Sequence, residues 1–169
     1  MYIIVAVLVV VIIIAGAAAY VLSNNGGSTN ATATPTPAPT VTVADASSIS
    51  FNSSITAGGT TTMYMWRGID IHTTANSTIR VDLEGGYSYI LAVANETSYD
   101  STDGGLTWTT GTFATDWAAW GATWQDYLDN LSHWNGSDAT YAINDATIGN
   151  AAVSNIVVNP TIPASVFNQ

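Results

Sequence analysis

The stretch from Thr115 to Trp134 reads TDWAAWGATWQDYLDNLSHW, and its periodicity decides the fold. Trp117, Trp120, Trp124, Tyr127, Leu128, Leu131 and Trp134 recur at three- and four-residue intervals, so they form one stripe along a helix. Asp116, Gln125, Asp126, Asp129 and Ser132 fall largely off that stripe. Thr115 or Asp116 is placed to cap the start, and Asn135-Gly136 to stop the helix. A stripe this aromatic needs a broad apolar surface to lie on.

Both flanks supply sheet. Ile49, Phe51 and Ile55 suggest a strand that ends at Ala57-Gly58-Gly59. From Thr62 to Ile71, Tyr64 and Trp66 fall on one side, Met63 and Met65 on the other. Ile79, Val81 and Leu83 alternate with Arg80 and Asp82, and Glu84-Gly85-Gly86 turns the chain. Tyr87 to Val93, Thr97 to Tyr99 and Leu106 to Thr110 continue the pattern. Beyond the helix, strands are expected over Thr140–Ile143 and Ala152–Val158, before an extended Pro-containing tail. Period-two alternation with Gly and Asn punctuation specifies an antiparallel meander. Without βαβ alternation, a parallel nucleotide-binding sheet is disfavoured. The expected fold class is α+β, mainly antiparallel β: a curved sheet or incomplete β-barrel with one amphipathic helix packed on it.

The N-terminal quarter has a different character. Tyr2 to Leu22 is an uncharged apolar run. At about 1.5 Å per residue it spans roughly 31 Å, the thickness of a bilayer core. Residues 1–22 are therefore expected to be a transmembrane anchor. A cleaved signal peptide is the rival reading, with Ala17-Ala18-Ala19 as a small-residue cleavage site. Residues 23–44 form a Thr/Pro-rich linker whose Pro-Thr stretch should be extended. Residues 45–169 form the expected β-rich domain, outside the cytoplasm. The expected location is the cell membrane, single-pass, with that domain extracellular.

Composition narrows the function. The 169 residues hold no Cys, 2 Lys plus Arg and 12 Asp plus Glu, for a formal charge of −10. Disulfides, thiolate metal sites and cysteine nucleophiles are excluded. A chain this acidic lacks the basic patch that nucleic acid or anionic headgroups need. Six Asn-x-Ser/Thr triplets, at Asn30, Asn52, Asn76, Asn95, Asn130 and Asn135, are candidate glycosylation sites. His72 and His133 sit in no metal-spaced pair, and no cofactor or metal is expected. Arg67 and Arg80 should each pair with a carboxylate or lie over an aromatic face.

Ser101-Thr102-Asp103-Gly104-Gly105-Leu106-Thr107-Trp108 matches the Asp-box pattern Ser-x-Asp-x-Gly-x-Thr-Trp. The Asp can accept backbone N–H bonds within the turn, the glycines allow positive φ, and the Trp packs beneath. Propellers carry several copies, and one copy reads as structural. No carboxylate pair is recognisable for glycoside hydrolysis, so no enzymatic activity is expected.

Three stretches together resemble the LolA/LppX-like lipoprotein-carrier superfamily, in the short forms found on archaeal surfaces. They are Ser77 to Trp108 (with Arg80, Tyr87-Ser88-Tyr89-Ile90, Tyr99 and Trp108), the mid-domain helix, and the ending from Val157 to Phe167 with its Ile-Pro-x-Ser-x-Phe close. The resemblance covers roughly residues 48–169. It implies a strongly curved sheet with the helix on its concave side, where relatives hold acyl chains or other apolar ligands. Trp66, Tyr89, Trp117, Trp120 and Trp124 are the candidate ligand-binding residues. The chain is shorter than the bacterial carriers and lacks their lipobox cysteine. The expected partners are the membrane, through the N-terminal helix, and an apolar ligand. The alternative is a pilin-like structural subunit of a surface filament, which would make the chain a homo-oligomer.

Overall fold

The computed structural model describes residues 42–169, apart from residues 74 and 137. The expected anchor, most of the linker and Asn30 lie outside the described residues. Among those described, no helix is long and apolar enough to cross a membrane.

Eight antiparallel strands form one open sheet: β1 (Ser48–Ala57), β2 (Thr60–Ile69), β3 (Thr78–Leu83), β4 (Ser88–Ala92), β5 (Thr97–Ser101), β6 (Thr109–Thr110), β7 (Thr140–Asp145) and β8 (Gly149–Val158). The spatial order is β6-β5-β4-β3-β2-β1-β8-β7. The first six strands are the expected meander. The last two form a hairpin that returns so that β8 lies against β1. Asn159 closes this junction. Its Oδ1 accepts from the Ser47 and Ser48 amides at 2.7 and 3.3 Å, and its own N–H donates to the Ser48 carbonyl at 2.9 Å. Opposite Phe51 the register of β8 shifts, and Asn155 takes φ +53° there. Such a bulge bends the strand and increases the local twist.

The helix, α1, is continuous from Phe113 to Leu131: an α-turn at Phe113–Asp116, a π-helical segment at Trp117–Gly121, and an α-helix at Ala122–Leu131. It begins two residues before the expected cap. Thr112 stands at the N-cap without a side-chain cap bond. Asp116 is instead engaged by the sheet, its carboxylate accepting from Ser98 Oγ at 2.6 Å. In the π-helical segment the Trp117 indole lies against the backbone at Gly121, where a Cβ would come within 2.5 Å of Trp117 Cε2. Leu106 to Trp108 belong to a loop, and only Thr109 and Thr110 of the expected strand pair with β5.

The helix packs on one face of the sheet. Ile49 and Phe51 from β1, Trp66 from β2, Ile79 and Val81 from β3, Leu91 from β4 and Val153 from β8 are buried with Trp124, Tyr127 and Leu131. Burying large rings removes the most apolar surface per residue, so this layer contributes strongly to stability. Val43, 1 % exposed, joins the same core, which therefore reaches into the segment read as linker. On the opposite face Met63 and Met65 are exposed, as their alternation requires.

The Asp-box segment is a tied loop. Asp103 accepts from the Leu106 and Thr107 amides at 3.0 and 2.9 Å, from Thr107 Oγ1 at 2.6 Å and from Ser101 Oγ at 2.7 Å. Gly104 and Gly105 take φ of +77° and +86°. Trp108 receives the Arg80 guanidinium, 5.2 Å from its ring centre. Arg80 and Arg67 both bond Asp82, at 2.8 and 2.9 Å. Arg80 Nη1 also donates to the Val166 carbonyl at 2.9 Å, fastening the C-terminal tail to the outer face of the sheet.

Candidate functional site

The site of interest is the aromatic layer between α1 and the sheet. Phe51 and Trp66 are partners across β1 and β2, so period-two alternation puts both rings on the helix face. Tyr64 follows two residues before Trp66, and Tyr89 reaches the same face because it pairs with Val81, which pairs with Trp66. Trp120, Trp124 and Tyr127 meet them from α1.

The rings form one connected stack. Trp66 lies 6.0 Å from Trp124, 6.1 Å from Trp120 and 5.4 Å from Tyr127. Phe51 stacks on Trp124 at 5.9 Å and meets Tyr127 at 5.3 Å. Tyr89 and Trp120 are 5.0 Å apart, and Tyr64 and Trp120 6.2 Å. These are the separations of favourable offset and edge-to-face pairs. Gly68 makes the packing possible. A Cβ there would meet the six-membered ring of Trp124, 2.6 Å from Cη2.

The stack has two parts. Its inner part is filled: Phe51, Trp66, Trp124 and Tyr127 are at most 1 % exposed. Trp66 Nε1 donates to Ser53 Oγ at 3.0 Å, while Trp124 Nε1 is buried with no hydrogen-bond partner. Its outer part is a half-buried ledge of Tyr64, Tyr89 and Trp120, with Phe113 and Trp117 stacked on each other 5.7 Å apart. Four of the five residues expected to bind ligand are thus brought together. Trp117 makes its ring contact with Phe113 instead. Trp66 and Trp124 belong to the closed inner layer, and Tyr89, Trp117 and Trp120 to the accessible edge.

Beside the ledge sits an acidic niche at the end of β5. A Cβ at Gly111 would overlap Asp100 Oδ1 and Asp116 Oδ2 and lie 2.7 Å from Ser98 Oγ, so the two carboxylates converge on one spot. Asp100 Oδ1 is buried without a hydrogen-bond partner. Burial, and then the neighbouring Asp116, push the Asp100 carboxyl above its ordinary range. Burial also raises the Tyr89 phenol, with Asp100 and Asp116 adding to the shift. Both arginines are committed to Asp82 on the other face, which leaves this pair without a cation. Nothing in the spacing of Asp100, Gly111 and Asp116 signalled the niche. It arises only when β5 and the start of α1 meet.

The chain matches no known family profile, no curated protein and no solved structure.

Proposed function

We propose that the chain is a membrane-anchored surface module that takes an apolar ligand on the ledge of Tyr64, Tyr89, Trp117 and Trp120. The N-terminal apolar run supplies the anchor, and the domain faces the exterior. One observation carries the ligand reading: the partly exposed rings of Tyr64, Tyr89 and Trp120 join the filled aromatic core through Trp66, with Trp117 packed against the same core. Rigid aromatic surface of this kind gives large contact area at small entropic cost. The filled inner layer argues against an acyl chain threading beneath the helix, so binding belongs at the rim. The resemblance to lipoprotein carriers supports the apolar class of ligand and a curved sheet, but this domain would use a shallower surface.

Titration of the delipidated full-length protein with a fluorescent fatty acid tests the reading. Saturable uptake is expected, weakened about tenfold by Trp120→Ala, which removes on the order of 1.4 kcal/mol of contact. Absence of uptake removes it.

The filament reading has its own support in β7. This edge strand carries one charged residue, Asp145, and no proline, so it lacks the usual guards against pairing with another chain. Helical filaments containing this chain on electron micrographs of cells would decide for that reading.

A further inference from the structure

We propose that Asn76 and Asn95 are glycosylated positions of the folded domain and that Asn52 and Asn130 are not. The inference rests on the exterior placement proposed above. Transfer to a folded surface needs an amide in solution, backbone outside a ladder, and a reachable hydroxyl two residues on.

Asn76 and Asn95 both stand outside the strand ladders, and their threonines, Thr78 and Thr97, are partly exposed. Each is exposed and makes no side-chain hydrogen bond among the described residues; Asn76 lies in the turn before β3, and Asn95 ends the short 3-10 turn Val93–Asn95 before β5. Each is followed by a threonine that opens the next strand: Thr78 begins β3 and Thr97 begins β5. Thr78 and Thr97 both pair with Ala92, one from either side. Two strand spacings therefore separate the hydroxyl residues, roughly 10 Å. The two loops are also joined, since the Val93 amide donates to the Ser77 carbonyl at 3.0 Å.

Asn52 and Asn130 fail on geometry. Asn52 is in the middle of β1, paired with Met65 on one side and Ser154 on the other. Asn130 is in the last turn of α1, where its Nδ2 donates to the Asp126 carbonyl at 2.8 Å and its own carbonyl accepts from Tyr141 OH at 3.3 Å. Asn135 belongs to a triplet that ends at residue 137, outside the described residues.

The location gives the modification a role. His72 Nε2 lies 2.8 Å from the Val43 carbonyl, so the chain enters the domain beside the loop that carries Asn76. Glycans at Asn76 and Asn95 would form a pair on the end of the sheet nearest the linker. They would supply hydration where a surface with few charges does not. In the transfer, the C1–O bond between an oligosaccharide and its lipid phosphate breaks, and C1 bonds to Nδ2. The displaced amide proton passes to base, and the lipid phosphate leaves.

The test uses the full-length chain made in a host whose membrane transferase reads Asn-x-Ser/Thr. Enzymatic deglycosylation in H₂¹⁸O marks each formerly occupied Asn as labelled Asp, and peptide mapping locates the label. Label is expected at Asn76 and Asn95 in most molecules, and at neither Asn52 nor Asn130. Asn76→Gln with Asn95→Gln should lose both labels while keeping the parent's tryptophan emission. Label at Asn52 or Asn130 comparable to that at the other two overturns the inference. So do unlabelled Asn76 and Asn95 when added protease digests the tail in sealed right-side-out vesicles. A tail protected in those vesicles overturns the exterior placement, and this inference with it.

Discussion

Gly68→Ala isolates the contact on which the aromatic layer depends. Gly68 lies in β2 between Ile49 and Ile79, and its φ is not positive, so alanine faces no backbone penalty there. On backbone entropy alone the change should stabilise the fold by about 0.4–1 kcal/mol. The added Cβ, however, would sit 2.6 Å from Trp124 Cη2 and 3.3 Å from Ile71 Cγ2. Trp124 has little room to retreat, because Phe51 and Trp66 stack against it at 5.9 and 6.0 Å. Overpacking of this kind costs about 1–3 kcal/mol. The net expectation is a loss within about 0–2.6 kcal/mol, centred on about 1.3 kcal/mol, since the steric cost exceeds the entropic gain at the middle of both ranges. Urea unfolding followed by tryptophan emission measures it as a lower midpoint at unchanged slope. Trp124→Leu should cost stability alone, yet the double variant should lose less than the sum, a coupling of about 0.5–3 kcal/mol. If Gly68→Ala matches or exceeds the parent in stability, Trp124 does not rest on the β2 backbone and the account of the layer is wrong.

Four further outcomes are expected. Ser53→Ala leaves Trp66 Nε1 buried without its acceptor and should cost about 1–3 kcal/mol in the same unfolding assay. Asp103 is pulled down to about 2 by its bonds to Thr107 and then Ser101, so its contribution is present above its unfolded value near 4 and lost as pH falls from about 4 through 2. Asp103→Asn should remove that acid sensitivity, read as protease cleavage of the 101–108 loop against pH. Asp100 has the opposite sign: its raised carboxyl favours the fold less as pH rises past its unfolded value, so Asp100→Asn should stabilise the protein more at pH 7 than at pH 3, measured by thermal melts. Arg80→Met removes the donor to Val166 and the cation over Trp108, and carboxypeptidase should then trim the tail faster than in the parent.

The periodicities of the chain were sufficient for its elements. Alternation at Tyr64 and Trp66 against Met63 and Met65 determined which face of β2 is buried, because side chains on a strand must alternate. The aromatic stripe determined one helix and its buried side, and the Asp-box residues determined a tied loop, since all its bonds are local. What the tertiary structure decided is everything that depends on distant partners. The return of β8 to β1 is one such result: nothing local to Gly149–Val158 distinguishes that neighbour from β6. Another is the division of the five candidate residues into a closed layer and an open ledge, since Trp124 and Trp120 occupy the same stripe and differ only in what the sheet sets against them. The start of α1 is a third, because Asp116 answers to Ser98 across the fold and not to its own helix. Sequence pattern specifies direction and period along the chain. Burial depth and the meeting of charges are properties of the packed whole, and only the assembled sheet and helix determine them.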